Sequence, residues 1–210
     1  MSQPRHDKRD ESRERIIQAA KDVFAEQGFA GARVDEIARR AQINKAALYY
    51  HIGDKQALYA EVLHDVIGTT AERLSKDIAT QTDPEDKLRA YIRSFAAALD
   101  ANPQMPRIIM REIASGGVNL PQVFYDDLAL ILKTVVGIID EGAKAGAFVR
   151  TIPVLVHTMT LGALIFSKVI GPMILAHPSI RGVVKDIDDD FLARGNAEIE
   201  RLVLRAIKQT

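Results

Sequence analysis

The hydrophobic positions near the start of the chain recur at helical spacing. Ile16, Ala20 and Phe24 lie at i, i+4 and i+8, which is the spacing of one helix face. Ser12 can cap this helix at its start, and Gly28 can end it in a left-handed conformation. The pattern therefore predicts a first amphipathic helix over residues 12–28.

Two short helices and a long one are predicted to follow. Apolar residues at i, i+3, i+4 and i+7 over residues 34–41 indicate a second helix. Asn44 is a good N-cap for a third helix over residues 45–51, which Gly53 can close. Asp54 then caps a long fourth helix.

The rest of the chain has the same helical character, with Gly and Pro at the joins. Helices are predicted over residues 84–99, 105–114, 120–146, 153–170 and 188–207. Gly171-Pro172 is expected to stop the fourth of these, which is apolar nearly all round. No alternating strand pattern exceeds a few residues, so we expect an all-α chain with two domains, 1–57 and 58–210.

Composition favours a soluble protein of a reducing compartment. Hydrophobic residues make up 47% and charged residues 27% of the 210 residues, as in ordinary globular domains. Cysteine is absent, which excludes disulfides and thiolate chemistry. Residues 1–15 contain no apolar core of a secretory signal, and residues 159–175 are too short and interrupted to span a bilayer comfortably. We therefore expect a cytoplasmic protein without a membrane partner.

Charge gives little indication of a nucleic-acid partner. The formal net charge is +0. Up to Lys55 there are 11 basic and 9 acidic side chains, and the remainder of the chain is slightly acidic. This asymmetry is weak, so the prediction of DNA binding depends on a motif.

The second and third predicted helices have the spacing of a helix-turn-helix, whose second helix can enter the major groove of DNA. Lys45, Ala46, Tyr49 and Tyr50 share the outward side of that helix. Tyrosine rings can contact thymine methyl groups, and their hydroxyls can bind phosphates. Lys55 lies at the start of the next helix, where backbone N–H groups and an ammonium group together favour a phosphate.

Three segments resemble the tetracycline-repressor (TetR) family. Residues 15–29 (RIIQAAKDVFAEQGF) are similar to its first helix, residues 34–41 (VDEIARRA) to its second, and residues 48–55 (LYYHIGDK) to its recognition helix and anchor. The resemblance extends from Ser12 to about Leu63 with matching spacing. It implies an N-terminal three-helix helix-turn-helix DNA-binding domain and a larger helical domain for ligand binding and dimerisation.

The resemblance also implies partners and site residues. It implies a homodimer on a double-stranded DNA operator and a small-molecule effector that switches DNA affinity, without another cofactor or a metal. The residues that it places at DNA are Lys45, Ala46, Tyr49, Tyr50, His51 and Lys55. Arg33 joins them as a substitute phosphate contact.

Two positions depart from the family pattern. Gln42 stands where the family usually has Gly in the turn between the second and third helices, so a left-handed residue there would carry roughly 1 kcal/mol or more of strain. Ala32-Arg33 stands where the family favours a Ser or Thr cap on the second helix. A hydroxyl contact to phosphate is therefore absent, but Arg33 can reach the same phosphate.

Several of these residues have a structural alternative. Tyr49 and Tyr50 can instead be partly buried against the first helix, and Lys55 can be a solvated surface charge. His51 can instead be a histidine near the C-terminus of the helix, where the helix dipole favours it. Arg39 and Arg40 fit phosphate contact and a solvated face equally. The basic residues of the tail are interleaved with acids, so we expect disorder for Arg5, Lys8, Arg9 and Arg13.

In the C-terminal domain we predict a dimer interface and an apolar pocket. The last two helices supply the interface residues Gly162, Ala163, Phe166, Ile199, Leu202, Val203 and Ala206. Apolar and Met side chains suited to an adaptable pocket are Phe95, Met110, Phe124, Met159 and Phe166. His157 is expected to be a hydrogen-bonded core or pocket histidine, and residues 186–190 (DIDDD) to complement a helix dipole instead of binding a metal.

The leading hypothesis is a repressor that a small-molecule effector releases from a palindromic operator. An enzyme is disfavoured, because the chain contains no nucleophile elbow, zinc-protease pair, phosphate loop or dinucleotide fingerprint. The alternative is an effector-independent DNA-binding adaptor or architectural protein. A preformed pocket in the C-terminal domain favours the first hypothesis, and a filled core favours the alternative.

Overall fold

The structure, a computed structural model, describes residues 4–181, 183 and 191–209, and within them it is all-α, as predicted. The helices are α1 (Pro4–Gly31), α2 (Val34–Arg40), α3 (Lys45–Ile52), α4 (Lys55–Ala79), α5 (Pro84–Ala101), α6 (Met105–Ala114), α7 (Gln122–Lys144), α8 (Pro153–Ala176), α9 (Pro178–Arg181) and α10 (Phe191–Ile207). One isolated β-bridge joins Phe148 to Lys208.

Helix α1 is longer than predicted at both ends. It begins at Pro4, so the prediction of a disordered tail is wrong. Pro is well tolerated at a first helical position, and the Lys, Arg and Glu residues that follow are good helix formers. Gly28 breaks the helix with a positive φ of 70° but a ψ of 173°, so it is not the left-handed cap that was predicted, and a short helical turn continues beyond this kink to Gly31.

Contacts divide the chain into two compact units. Unit 1 comprises Met1–Gly68 and Arg107–Asp126, and unit 2 comprises Thr69–Pro106 and Asp127–Thr210. Helix α6 and the start of α7 therefore pack with α1–α3 and the first half of α4. The two compact units do not coincide with the predicted domains 1–57 and 58–210, and that division into functional domains stays a prediction.

Two side chains of α6 anchor it within unit 1. The Arg111 guanidinium donates hydrogen bonds to the backbone carbonyls of Ala25 (3.1 Å) and Glu26 (2.7 Å) at the end of α1. The Tyr59 hydroxyl donates to the buried Glu112 carboxylate at 2.8 Å, and burial together with this bond raises the pKa of Tyr59. Arg111 thus satisfies carbonyls that would otherwise lack partners at a helix C-terminus.

Unit 2 packs α5, α8 and α10 around an apolar core. Within it, Tyr91 and His157 form a buried hydrogen bond of 2.5 Å between the hydroxyl and Nδ1. Burial raises the pKa of Tyr91 and lowers the pKa of His157. His157 is therefore a hydrogen-bonded core histidine, as predicted.

Helix α8 does not stop at Gly171-Pro172, so that prediction is wrong. The helix continues through Pro172 to Ala176. Inside a helix a proline removes one hydrogen bond, here that to the carbonyl of Lys168, and its ring crowds the same carbonyl, yet the helix continues past it. Among the described residues, α8 is the one helix that is long and apolar enough to cross a membrane by length and composition. It packs against α5 and α10 and leaves Leu155, Met159 and Phe166 exposed.

The end of the chain is described from Phe191 onward. The predicted start of the last helix near residue 188 and the acidic segment 186–190 lie outside the described residues. Within the described part of the chain, no group of three or more His, Cys, Asp or Glu residues is placed to hold a metal ion.

Candidate nucleic-acid interface

Helices α2 and α3 are joined by a turn that requires one left-handed residue. The N–H of Gln42 bonds to the carbonyl of Arg39 (3.2 Å), and the N–H of Ile43 bonds to that of Ala38 (3.0 Å). This pair of bonds is the Schellman motif, in which the residue after the C-cap adopts positive φ. Gln42 has φ of 56°, the one positive φ among the described non-glycine residues. The strain anticipated from its departure from glycine is present.

The start of α3 is fixed by its cap and its inner face by burial. The Asn44 side chain accepts a hydrogen bond from the N–H of Ala47 at 2.7 Å, as predicted for an N-cap. Leu48 and Ile52 are buried in unit 1. Gly53 ends the helix with φ of 99°. The sequence therefore determines both the ends and the orientation of this helix.

The opposite side of α3 is open. Tyr49 is 44% exposed and Tyr50 is 77% exposed, so Tyr50 projects from the helix and Tyr49 is partly covered. Lys45 and Ala46 are also exposed, and His51 is half-buried beside the Tyr50 ring. This face presents two phenol groups, an ammonium and an imidazole on a short helix.

Lys45 is held by an acid of α2. Its Nζ lies 2.7 Å from a carboxylate oxygen of Asp35, and both side chains are more than half exposed. Each partner favours the charged form of the other: their hydrogen bond raises the pKa of Lys45 and lowers that of Asp35. The contact with Asp35 was not predicted, because no local spacing in the sequence indicates a contact between two helices.

Arg39 and Arg40 are also paired. Arg39 makes a two-point contact with Glu36 at 2.7–2.8 Å, and Arg40 binds Glu36 and, on α1, both carboxylate oxygens of Glu26 at 2.7 Å. Hydrogen bonds from both arginines lower the pKa of Glu36 to about 2. Arg40 therefore connects α2 to α1 through ion pairs, a structural role that is neither the phosphate contact nor the solvated face expected for it.

The N-terminus of α2 lacks a side-chain cap. Arg33 occupies the N-cap position with an extended backbone and makes no capping hydrogen bond. Its side chain is exposed. The loss of the cap anticipated from Ala32-Arg33 is therefore present, and the guanidinium is positioned at a helix N-terminus.

Lys55 begins α4 beside the kinked end of α1. Asp54 caps α4 by accepting from the N–H of Ala57 at 2.8 Å. The Lys55 ammonium donates to the carbonyl of Ala30 at 3.3 Å and lies 4.6 Å from the centre of the Phe29 ring. An ammonium has three N–H donors, so this placement orients Lys55 and leaves donors for a phosphate. It is not simply a solvated charge.

The residues predicted for the C-terminal pocket are not gathered in one place. Phe95 is buried beside Tyr91 and His157, whereas Met159 and Phe166 are exposed on α8. Met110 and Phe124 belong to unit 1. None of these five residues lines any of three clefts of unit 2. The clefts lie between α4 and α5, between α7 and the following loop, and between α8 and α10. The pocket stays a prediction.

The predicted dimer residues form a partly open surface. Gly162, Ala163 and Ile199 are half-buried, Ala206 is exposed, and Phe166 and Leu202 are 50% and 51% exposed. A groove of about 660 Å³ between α8 and α10 is lined by Ala163 and Ile199 among others. The prediction of Val203 as an interface residue is wrong. Val203 is 3% exposed and packs in the core of its own chain, so it cannot contact a second chain.

Comparison with known proteins agrees with this architecture. Residues 16–62 match the family described as "Bacterial regulatory proteins, tetR family". Residues 63–172, more than half of the chain, match the family described as "YsiA-like protein, C-terminal region".

Two curated relatives and one solved structure illustrate the match. The transcriptional activator FasR of Mycolicibacterium smegmatis is 35% identical over 101 residues, which are 48% of this chain and 46% of FasR. The match to that relative thus spans about half of its length. The fatty acid metabolism regulator protein of Bacillus subtilis is 24% identical over 189 residues, 90% of this chain and 92% of that protein. The solved structure of FadR from Bacillus subtilis in complex with stearoyl-CoA has a TM-score of 0.68 at 22% identity and covers 90% of this chain and 96% of FadR.

The helix-turn-helix of unit 1 and the matched C-terminal region lead to one conclusion. The chain belongs to the TetR family of DNA-binding transcriptional regulators, a family of non-enzymes.

Proposed function

We propose that the chain acts in the cytoplasm as a homodimeric repressor that binds a palindromic operator through α3 and is released by a small-molecule effector. The observation that carries the DNA-binding part is the open face of α3, where Tyr49, Tyr50 and Lys45 project from a helix capped at both ends. Arg33, Ala46, His51 and Lys55 complete the proposed contact surface. Tyrosines and Lys45 face base edges, and Arg33 and Lys55 face phosphates.

A dimer is supported by apolar side chains that unit 2 leaves uncovered. Leu155, Met159 and Phe166 lie along one face of α8, and Leu202 is exposed on α10. Large exposed apolar patches mark interaction surfaces, and a symmetric dimer would match a palindromic DNA site. Without Val203, the proposed interface consists of Gly162, Ala163, Phe166, Ile199, Leu202 and Ala206.

The dimer can be tested by light scattering at micromolar concentration. We expect the native chain to be dimeric and Phe166→Glu to be monomeric, because a buried unpaired carboxylate strongly opposes association. Val118→Glu is the matched control, since Val118 is an exposed apolar residue of unit 1. A monomeric native chain contradicts the proposal.

The effector class is proposed from a relative. The Bacillus subtilis FadR structure contains stearoyl-CoA, which supports a long-chain acyl-CoA as the effector of this chain. This proposal rests on that relative, because Phe95, Tyr91 and His157 are buried together in the core of unit 2 and line none of the three clefts described above.

Operator DNA recovered by selection from genomic fragments provides the test. Stearoyl-CoA should weaken operator binding and raise the melting temperature, by about 5–10 °C at a hundredfold excess over its Kd. CoA alone and free stearate are the controls. Selective DNA binding that no acyl-CoA alters would favour the effector-independent adaptor. Failure to select any sequence would contradict DNA regulation itself.

A further inference from the structure

The cations of α2 and α3 are largely engaged by acids of the same unit. Arg39 binds Glu36, Arg40 binds Glu26 and Glu36, and Lys45 binds Asp35. Of these pairs, only the one formed by Lys45 joins α2 to the proposed recognition helix. The proposed DNA surface is therefore closer to neutral than its lysines and arginines suggest.

A paired cation contributes little to binding of random DNA. Affinity for random sequences comes from the counterions released when lysines and arginines replace them at phosphates. Moving the Lys45 ammonium from Asp35 to a phosphate exchanges one anionic partner for another. It also leaves the Asp35 carboxylate beside the phosphate backbone, where like charges repel.

We propose that Asp35 is a specificity-determining residue that withholds Lys45 from the phosphates of random DNA. This inference rests on the proposed function. In an operator complex the base contacts fix the register of α3, and the ion pair holds the flexible Lys45 side chain in one position. On random DNA no register is preferred, so a released Lys45 would gain a phosphate at any site.

Asp35→Asn removes the negative charge while it keeps the size of the side chain and one acceptor oxygen. At about 0.1 M salt we expect the affinity of the variant for random duplex DNA to rise about five- to tenfold for each subunit. The salt slope of this binding should become steeper by about one unit for each subunit. Affinity for the operator should rise less, because the orientation of Lys45 is lost there. The preference for operator over random DNA should fall at least about threefold.

Two variants serve as controls in the same titrations. Asp35→Glu keeps the charge and should behave as the native chain does on both DNAs. Glu141→Gln makes the same change in net charge in unit 2, where it removes the partner of Lys87, and should leave both salt slopes unchanged. If Asp35→Asn does not fold by circular dichroism, Asp35→Ser replaces it, since Ser is also accepted at the start of a helix.

The outcomes separate this inference from the proposed function. A native chain that prefers no sequence contradicts the proposed function, whereas the salt slope on random DNA still tests the role of Asp35. The inference is overturned if Asp35→Asn leaves random-DNA affinity and slope unchanged, or if operator and random DNA gain by equal factors.

Discussion

Replacing Gln42 by glycine should stabilise the protein, because the turn before α3 holds a side chain in the left-handed region. The backbone bonds of Gln42 and Ile43 to the end of α2 require φ near its observed value of 56°. In that region a Cβ atom approaches the following carbonyl oxygen, which costs roughly 1–2 kcal/mol. Glycine is free of this contact.

The net gain is smaller than the strain, because glycine also loosens the unfolded chain. That effect favours unfolding by about 0.4–1 kcal/mol. Gln42→Gly should therefore raise the free energy of unfolding by about 0.5–1 kcal/mol, and the melting temperature by about 1–4 °C for a chain of this size. The Gln42 side chain is exposed, so its removal should have little other effect.

Urea unfolding followed by circular dichroism at one fixed protein concentration provides the measurement. Gln42→Ala is the matched control: it removes the side-chain amide but keeps the Cβ atom, and we expect no gain. The explanation by strain is refuted if Gln42→Ala stabilises as much as Gln42→Gly, or if Gln42→Gly destabilises at an unchanged m-value.

Two further predictions follow from the caps and the core. Arg33→Ser should supply the missing N-cap of α2 and stabilise the protein by about 1 kcal/mol, and it should lower the salt slope of DNA binding. A stability gain in urea without any change in the salt slope would show that Arg33 does not contact DNA. Because burial lowers the pKa of His157, the unfolded chain binds more protons below about pH 6.5, so stability should fall as the pH falls from there towards the lower folded pKa. His157→Gln should flatten this fall in urea titrations at pH 5–7.5, and an identical pH dependence of both proteins would contradict it.

The sequence predicted those features that depend on neighbouring residues. The helix over residues 105–114, the Asn44 cap and the glycine closure of α3 follow from local spacing and backbone conformation, whereas the left-handed position at Gln42 was anticipated from the family resemblance. These interactions join residues that are close in the chain, so a single sequence contains the necessary information.

Features that depend on distant contacts were missed or predicted wrongly. The packing of α6 in unit 1 rests on Arg111 bonds to residues more than eighty positions away. The pairing of Lys45 with Asp35 depends on how two helices approach each other, and the burial of Val203 on packing within unit 2. The passage of α8 through Pro172 shows that a proline in the sequence does not by itself fix the end of a helix.

DNA titrations of two single variants test the proposed recognition surface most directly. Lys55 is oriented at a helix N-terminus by Ala30 and Phe29, where a phosphate carries no sequence information. Lys55→Ala should therefore weaken operator and random DNA by similar factors and lower the salt slope by about one unit per subunit. Tyr49→Ala should instead reduce the preference for the operator by roughly 1–3 kcal/mol per lost base contact, with a smaller change in slope. Equal effects of the two variants on both DNAs would contradict the assignment of base contacts to α3 and of phosphate contacts to the start of α4.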